Sequence, residues 1–413
     1  MTAETGRTPL SDKALHYRSY RLFWFASAAA PFAANIISVA VGWQIYDITR
    51  NPLFLGYVGL AQFLPALVLV LVTGLAADTF PRRLIMAVCL GVEVICAGIL
   101  LLTAFGHIME IWPIYVALVM IGTARAFIAP AASSLAPNLV PPEALGNALT
   151  LNATAWQSAN IVGPAIGGLL YGIAPGAAYG TAAVLMSIAG FLILSIPKPP
   201  QARRGETKTL ETLLAGFRYI WREKIVLGAI SLDMFAVLLG GAVALLPVYA
   251  RDILEVGPLG LGLLRAAPGI GGIAMALYLQ RFPVRDHAGH ILLVCVALFG
   301  LFTVVFGVST AVWLSIGALL LMGAFDMVSV VLRETLIQLW TPDQVRGRVS
   351  AVNAVFIGAS NELGEFRAGL VAARWGTVFA VAIGGAGTMM VAGLWSAIFP
   401  SMRKQRRIDR RGV

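Results

Sequence analysis

Apolar positions along this chain gather into long unbroken runs rather than short alternating stripes. Twelve such runs can be drawn, with ends placed to within a few residues: 22–46, 54–77, 84–106, 112–136, 148–172, 176–196, 225–249, 257–280, 290–309, 312–338, 349–372 and 376–399. Each is close to the roughly 20 residues that a helix needs to cross a hydrocarbon core. The pattern therefore predicts twelve transmembrane helices, an all-α membrane protein, and, because twelve is even, both termini on one side. The longest polar stretch, Pro197 to Lys224, separates the sixth run from the seventh. It begins Pro-Lys-Pro-Pro and becomes helical from about Thr209, where Leu210, Leu213, Leu214, Phe217 and Ile220 form an apolar stripe beside Arg218, Arg222 and Lys224. That spacing predicts an amphipathic helix lying on the inner membrane surface. Three parts follow: a six-helix bundle over 1–197, a cytoplasmic linker over 198–224, and a second six-helix bundle with a basic tail over 225–413.

The two bundles echo each other. Trp112 to Leu169 returns as Trp313 to Leu370 at a constant offset of 201, with 13 of 58 positions identical. The shared positions include Trp112/Trp313, Gly122/Gly323, Pro141/Pro342, Gly146/Gly347, Asn152/Asn353, Asn160/Asn361, Gly163/Gly364 and Gly168/Gly369. Upstream, Tyr46, Gly59 and Pro65 recur as Tyr249, Gly262 and Pro268 at an offset of 203. Two like membrane halves in one chain imply a secondary transporter whose site lies between them.

Composition agrees: of 413 residues, 59% are hydrophobic and only 12% charged, with a mean hydropathy of +0.83. No soluble domain hides so much apolar surface. The net charge of +10 is topology rather than a nucleic-acid footprint. Basic residues crowd the leader, the loop at Arg82 and Arg83, the linker, Arg281 and Arg285, Arg346 and Arg348, and the tail, 23 of the 30 in all. The opposite side has only Arg50, Arg251 and Arg374. Positively charged loops stay inside, so both termini are expected in the cytoplasm of a bacterial-type inner membrane, with anionic lipid as a neighbour. Cys89, Cys96 and Cys295 all fall within apolar runs and read as packing. The first apolar run continues to about Tyr46, too long for a signal-peptide core, so the first helix is expected to stay in place.

No soluble catalytic domain, phosphate-binding loop, metal-ligand spacing or nucleophile–base pattern is found. The Gly-rich run Gly257 to Gly272 lacks the Gly-Lys-Ser/Thr end of a nucleotide loop and lies inside a span, where glycine permits close helix approach. The expectation is a non-enzyme with no cofactor and no metal, driven by an ion gradient, and monomeric.

The loop after the second span reads Gly74-Leu-Ala-Ala-Asp78-Thr-Phe-Pro-Arg82-Arg83. It resembles the signature of the major facilitator superfamily, Gly-x-x-x-Asp-basic-x-Gly-basic-basic, with Thr79 and Pro81 departing from it. In that superfamily the loop braces the cytoplasmic ends of the two halves, so Gly74, Asp78, Arg82 and Arg83 are candidates for an inner gate. The equivalent loop, Gln280 to His290, keeps Arg281, Arg285 and Asp286 but not the pattern. Span five carries Gly163-Pro164-Ala165-Ile166-Gly167-Gly168, which is similar to the Gly-Pro-x-x-Gly-Gly motif of the superfamily's antiporters. With Ala129-Pro130-Ala131, Pro141, Asn152 and Asn361-Glu362-Leu363-Gly364-Glu365-Phe366, the chain resembles the branch that contains the enterobactin (siderophore) exporters and drug:proton antiporters. The resemblance implies the twelve-helix, two-bundle fold, alternating access, and protons as the coupling ion.

An ionisable side chain within a membrane span is a functional candidate by default. Arg125 in span four and Asp326 in span ten are repeat equivalents, and the resemblance places both spans at the central cavity, where they are expected to face each other. A carboxylate in low dielectric favours its neutral form and a nearby cation favours the charged one, so alternation between the two carries a proton. Asp326 with Glu362 and Glu365, three apart on one helix face, are the proton-coupling candidates. A static ion pair of Asp326 with Arg125, and pairing of the two glutamates with Arg367 or Arg333, stand beside that reading. Substrate-cavity candidates are Asn35, Ser38, Arg125, Arg265 and Asp326, the arginines suiting acidic groups. Glu93 and Asp233 read as helix anchors, Trp43 and Trp156 as possible cavity walls, and Trp24, Trp112, Trp313, Trp340 and Trp375 as an interfacial belt. The expectation is export of a small amphipathic molecule by proton antiport. A proton-coupled importer and a non-transporting sensor or scaffold remain open from the residues alone.

Overall fold

A computed structural model describes residues 13–106, 110–197, 210–284 and 286–403. The chain is helical throughout that range, in the order α1 (Arg18–Thr49), α2 (Pro52–Thr79), α3 (Arg82–Ala104), α4 (Trp112–Leu135), α5 (Leu145–Ile173), α6 (Pro175–Leu194), α7 (Leu210–Arg222), α8 (Lys224–Gly240), α9 (Leu246–Val248), α10 (Gly257–Arg281), α11 (Ala288–Val308), α12 (Val312–Trp340), α13 (Asp343–Trp375), α14 (Thr377–Ile398) and the short α15 (Pro400–Arg403). Among the described residues ten helices are long and apolar enough to cross a membrane. The two that complete the expected twelve are α5 and α13, which have the length but carry polar faces: Asn152, Gln157 and Asn160 on one, Asn353, Glu362, Glu365 and Arg367 on the other. Both helices lie in the seams between the bundles, while Asn152, Asn160, Asn353 and Arg367 bond within their own bundle.

Local chemistry explains the sharp reversals. Arg50 takes a left-handed conformation (φ 51°) to end α1, and Asn51 caps α2, its Oδ1 accepting the Leu53 N–H at 3.0 Å, with Pro52 at the first helical position. Gly376 (φ 91°) makes the equivalent reversal between α13 and α14. Buried side chains gather within each bundle, and a larger apolar cluster continues across both. Many large apolar residues on the outer faces, such as Val68, Phe191 and Met390, are exposed, as a lipid-facing surface requires. Trp112, Trp313 and Trp375 are exposed at helix ends on the face away from the start of α1, the position of an interfacial belt.

The bundles meet along two seams, α2 with α13 and α5 with α10, and these seams are copies of one contact. A Cβ on Gly262 would lie 2.5 Å from the Pro164 carbonyl oxygen, and one on its repeat partner Gly59 would strike the Glu362 and Glu365 carboxylates. Pro164 and Glu365 are themselves repeat partners. Within each bundle Gly122 presses on the Gln62 carbonyl and its partner Gly323 on the Pro268 carbonyl. Small residues at these points let backbones approach, which in lipid is the main source of helix association.

The seventh span is broken. α8 stops at Gly240 and Gly241, and the chain resumes through Val243–Leu245, α9 and a π-helical turn, Tyr249–Ile253. The carbonyls freed by the break are taken up by neighbours. Arg367 of α13 donates from Nε to the Leu238 oxygen at 3.0 Å and from its guanidinium to the Leu239 oxygen, while Thr388 of α14 donates to the Ala236 oxygen at 2.9 Å. Within a membrane such carbonyls must be satisfied internally.

The linker helix forms as expected but is seated on protein. Ile220 is buried among Val226, Ile230, Ile337, Val349 and Val352, Gly216 abuts the Arg348 backbone, and Tyr219 donates to the Trp340 carbonyl at 2.6 Å. Phe217 and Trp221 stack with each other and remain exposed. The stripe residues Leu210, Leu213 and Leu214 have side chains outside the described residues, as do the linker's first basic residues (Lys198, Arg203, Arg204 and Lys208), Arg285, and the tail beyond Arg403.

Candidate functional site

Three cavities of about 210, 640 and 600 Å³ occupy the space between and within the bundles. The small one is the apex, walled by Ser38, Gly59, Gln62, Arg125, Pro247, Arg265, Glu362 and Glu365. The second runs between α2, α4 and α13 towards the face where α1 begins and α14 ends, and reaches Asp78. The third lies against α1, α3, α4 and α5 and includes Asn35, Glu93, Trp156 and Asn160. Arg125 and Glu362 border all three. On the opposite face the path is shut by ionic contacts between the bundles. Arg251 pairs with Asp47, Arg50 with Asp252 at 3.5 Å, and Tyr46 donates to Asp252, while Arg251 lies over Trp43. Trp43 thus belongs to this closure, and Trp156 to a cavity wall.

Arg125 does not face Asp326. Its Nε pairs with Glu93 of α3 at 3.3 Å, and its Nη1 donates to Gln62 of α2 at 3.0 Å. The reason is Gly122, one turn earlier, which brings α4 onto the Gln62 backbone and turns Arg125 into its own bundle. Asp326 borders none of the three cavities and makes no side-chain hydrogen bond or ion pair among the described residues. Glu93, read as an anchor, is instead the counter-charge of the cavity arginine.

Glu362 and Glu365 are not paired with Arg367 or Arg333. Arg367 serves the α8 break, and Arg333 pairs with Asp233 and, at 3.9 Å, with Glu334, which also accepts from Asn353 at 2.9 Å. The two glutamates share the apex with Arg265, whose Nη1 donates to the Ser38 carbonyl across the bundles at 3.3 Å. No ion pair within 4 Å joins Arg265 to either glutamate among the described residues. The apex thus gathers Ser38, Arg125, Arg265, Glu362 and Glu365 from both bundles. Asn35 lies nearby, its Nδ2 donating to Asn160 Oδ1 at 3.1 Å.

In the candidate gating loop the arginines act within one bundle. Arg82 donates to the carbonyls of Ala77 (3.2 Å) and Ser134 (2.8 Å), and Arg83 to that of Ile196, so they cap the ends of α2, α4 and α6. Asp78 borders the open cavity, and Gly74 has free space around it. The Gly-Pro-x-x-Gly-Gly motif serves two interfaces: Gly163 and Gly167 accommodate Asn35 and Ile36 of α1, and Gly168 accommodates Pro258 and Gly262 of α10.

The profile of the MFS_3 family, described as "Transmembrane secretion effector", matches residues 8–410. The chain belongs to this family of major facilitator transporters. It is 24% identical over 408 residues to the enterobactin exporter EntS of Shigella boydii serotype 4 (strain Sb227), covering 94% of each chain, and equally to EntS of Escherichia coli O157:H7 (strain EC4115). Solved structures share the fold: the nucleoside transporter NupG (13% identity, TM-score 0.72, covering 92% of this chain and 99% of that one) and a bacterial homologue of the iron transporter ferroportin (14%, 0.67, 94% and 99%). The chain is therefore a multi-pass secondary transporter for a small molecule, not an enzyme, with bacterial homologues.

Proposed function

We propose that this transporter exports a small amphipathic molecule, a siderophore-like metabolite or drug, in exchange for protons across a bacterial inner membrane, with both termini in the cytoplasm. The observation that carries this reading is the apex, where two carboxylates of α13, Glu362 and Glu365, share a small cavity with Arg265 of α10 at the junction of the bundles. A carboxylate in low dielectric holds a proton unless a cation is near. Rocking of the bundles moves Arg125 and the Ser38 carbonyl of the first bundle relative to the glutamates and Arg265 of the second. The changed charge and hydrogen bonding around the glutamates loads and unloads a proton. Cargo enters from the cytoplasmic side through the larger cavities, with Arg125 and Arg265 receiving acidic groups and Asn35 and Ser38 neutral ones. Gly74, Asp78, Arg82 and Arg83 form the inner gate that closes when the Asp47–Arg251 side opens. Export is supported by the relatives named as enterobactin exporters. Asp326, away from the cavities, becomes a secondary coupling candidate.

The test uses inverted vesicles with an acidic interior and a pH-sensitive dye. Enterobactin, then cationic and neutral drugs, are added singly. One class is expected to release protons, and Glu365→Gln to abolish the release. No release by any compound across an intact gradient would overturn proton-coupled export of these classes.

A further inference from the structure

Beyond the apex, one wall of the third cavity has a composition that charge does not explain. Trp156 of α5 is 58% exposed, stacks on no other ring, and its indole N–H has no partner among the described residues. Across the same cavity α1 offers the small side chains of Ala26, Ala30, Pro31 and Ala34. One turn above Trp156 on the same face of α5 is Asn160, bonded to Asn35. Asn35 Nδ2 is committed to the Asn160 Oδ1 and to the Pro31 carbonyl at 3.0 Å. That leaves Asn35 Oδ1 as an acceptor and Asn160 Nδ2 as a donor, both without a partner among the described residues. The charged residues of this cavity, Arg125 paired with Glu93 and Glu362 with no ion pair among the described residues, lie away from this wall on α3, α4 and α13.

We propose that this wall is an aryl subsite, in which a flat ring of the cargo stacks on Trp156 and a carboxamide or hydroxyl on that ring bonds the Asn35/Asn160 pair. The inference rests on the transporter reading above and specifies its cargo: an aryl amide or phenol. A side chain four residues on is about 5–6 Å away on a helix, about the reach from a ring's centre through a hydroxyl or carboxamide to its hydrogen-bond partner. A large indole exposed to a water-accessible cavity is unfavourable until something apolar covers it, and a ring does so with an offset-stacking gain that a saturated group lacks. Among the described residues the α1 and α5 side of the cavity carries no charged side chain, so this wall selects shape and hydrogen bonding rather than charge. About 600 Å³ is room for one such moiety with its neighbours.

The experiment titrates benzamide and cyclohexanecarboxamide, which share the amide and differ in the ring, against the full-length protein in lipid nanodiscs, by ligand-observed saturation-transfer NMR. Benzamide is expected to bind about 3- to 10-fold more tightly. Trp156→Ala should erase that preference, Trp156→Phe should keep most of it, and Asn160→Leu should weaken both compounds alike. Variants are compared only as monodisperse protein, and Trp156→Phe decides the matter if Trp156→Ala does not fold. Equal affinity for the two compounds, no binding of either, or a preference that survives Trp156→Ala would overturn the subsite. Because binding needs no gradient, loss of proton release with the ring preference intact would count against proton coupling alone. Transport of an aryl cargo with unchanged rate and KM in Trp156→Ala would count against the subsite alone.

Discussion

Arg367 and Glu365 are two residues apart on α13, yet one serves the backbone and the other faces the apex. Arg367 is bound to the carbonyls of Leu238 and Leu239, where α8 breaks. Charge-assisted hydrogen bonds are worth about 1.5–3 kcal/mol each, so loss of both in Arg367→Met should lower stability by about 3–6 kcal/mol, read as a drop in thermal midpoint in detergent, with Arg367→Lys recovering part. An unchanged midpoint would mean the break finds other donors. Arg333 and Asp233 are an enclosed pair, with side chains 5% and 14% exposed. Removing one partner leaves an uncompensated charge, costing about 3–5 kcal/mol. Arg333→Leu should therefore destabilise strongly, and adding Asp233→Leu should restore most of the loss. If the double variant were no better than the single, the pairing would not be what holds these residues. Sequence could count these charges but not assign their partners. Arg125, Asp326, Arg367 and Glu362 were all visible as intramembrane ions; that Arg125 turns to Glu93 depends on Gly122 packing, and that Arg367 leaves the glutamates depends on a helix break marked only by Gly240-Gly241.

At the level of helices, the repeat was the most legible feature, and it extends to contacts. Gly59 and Gly262, matched in sequence, occupy the same place in the two inter-bundle seams. Overpacking costs about 1–3 kcal/mol, and a seam that must slide has no slack to absorb it. Gly262→Val should lower the transport rate roughly 5- to 150-fold while leaving each bundle folded, as a vesicle flux assay and a thermal melt would show. A fully active variant would mean that the α5–α10 seam opens by another route. Spans five and eleven were readable as runs, but their polar faces carry them close to the limit of an apolar span. The linker helix was readable from its stripe, whereas its seat on α12 and α13 was not, because an apolar face does not say whether lipid or protein covers it. Trp156 was visible as a residue, but its role as a wall followed only from its neighbours.

For the whole molecule, closure at one face and cavities running to the other are what one state of the proposed alternating cycle requires. The closure is built from Tyr46, Asp47 and Arg50 on one bundle and Arg251 and Asp252 on the other. In a background with Cys89, Cys96 and Cys295 replaced by alanine, Asp47→Cys with Arg251→Cys bridged by a short bis-maleimide should stop transport nearly completely. Each single variant treated in the same way should remain active. Undiminished flux through the bridged protein would exclude opening at this face.

The most direct measurement compares two modes of movement of labelled enterobactin in the same vesicles: uphill transport driven by an imposed pH gradient, and equilibrium exchange with the same label on both sides and no gradient. Neutralising a proton carrier should remove the first and spare the second, because exchange needs the bundles to rock with cargo but no proton to be released. Glu362→Gln and Glu365→Gln are predicted to lose gradient-driven transport while still exchanging, with Asp326→Asn retaining both. Uphill transport surviving in both glutamine variants would contradict coupling through the α13 carboxylates.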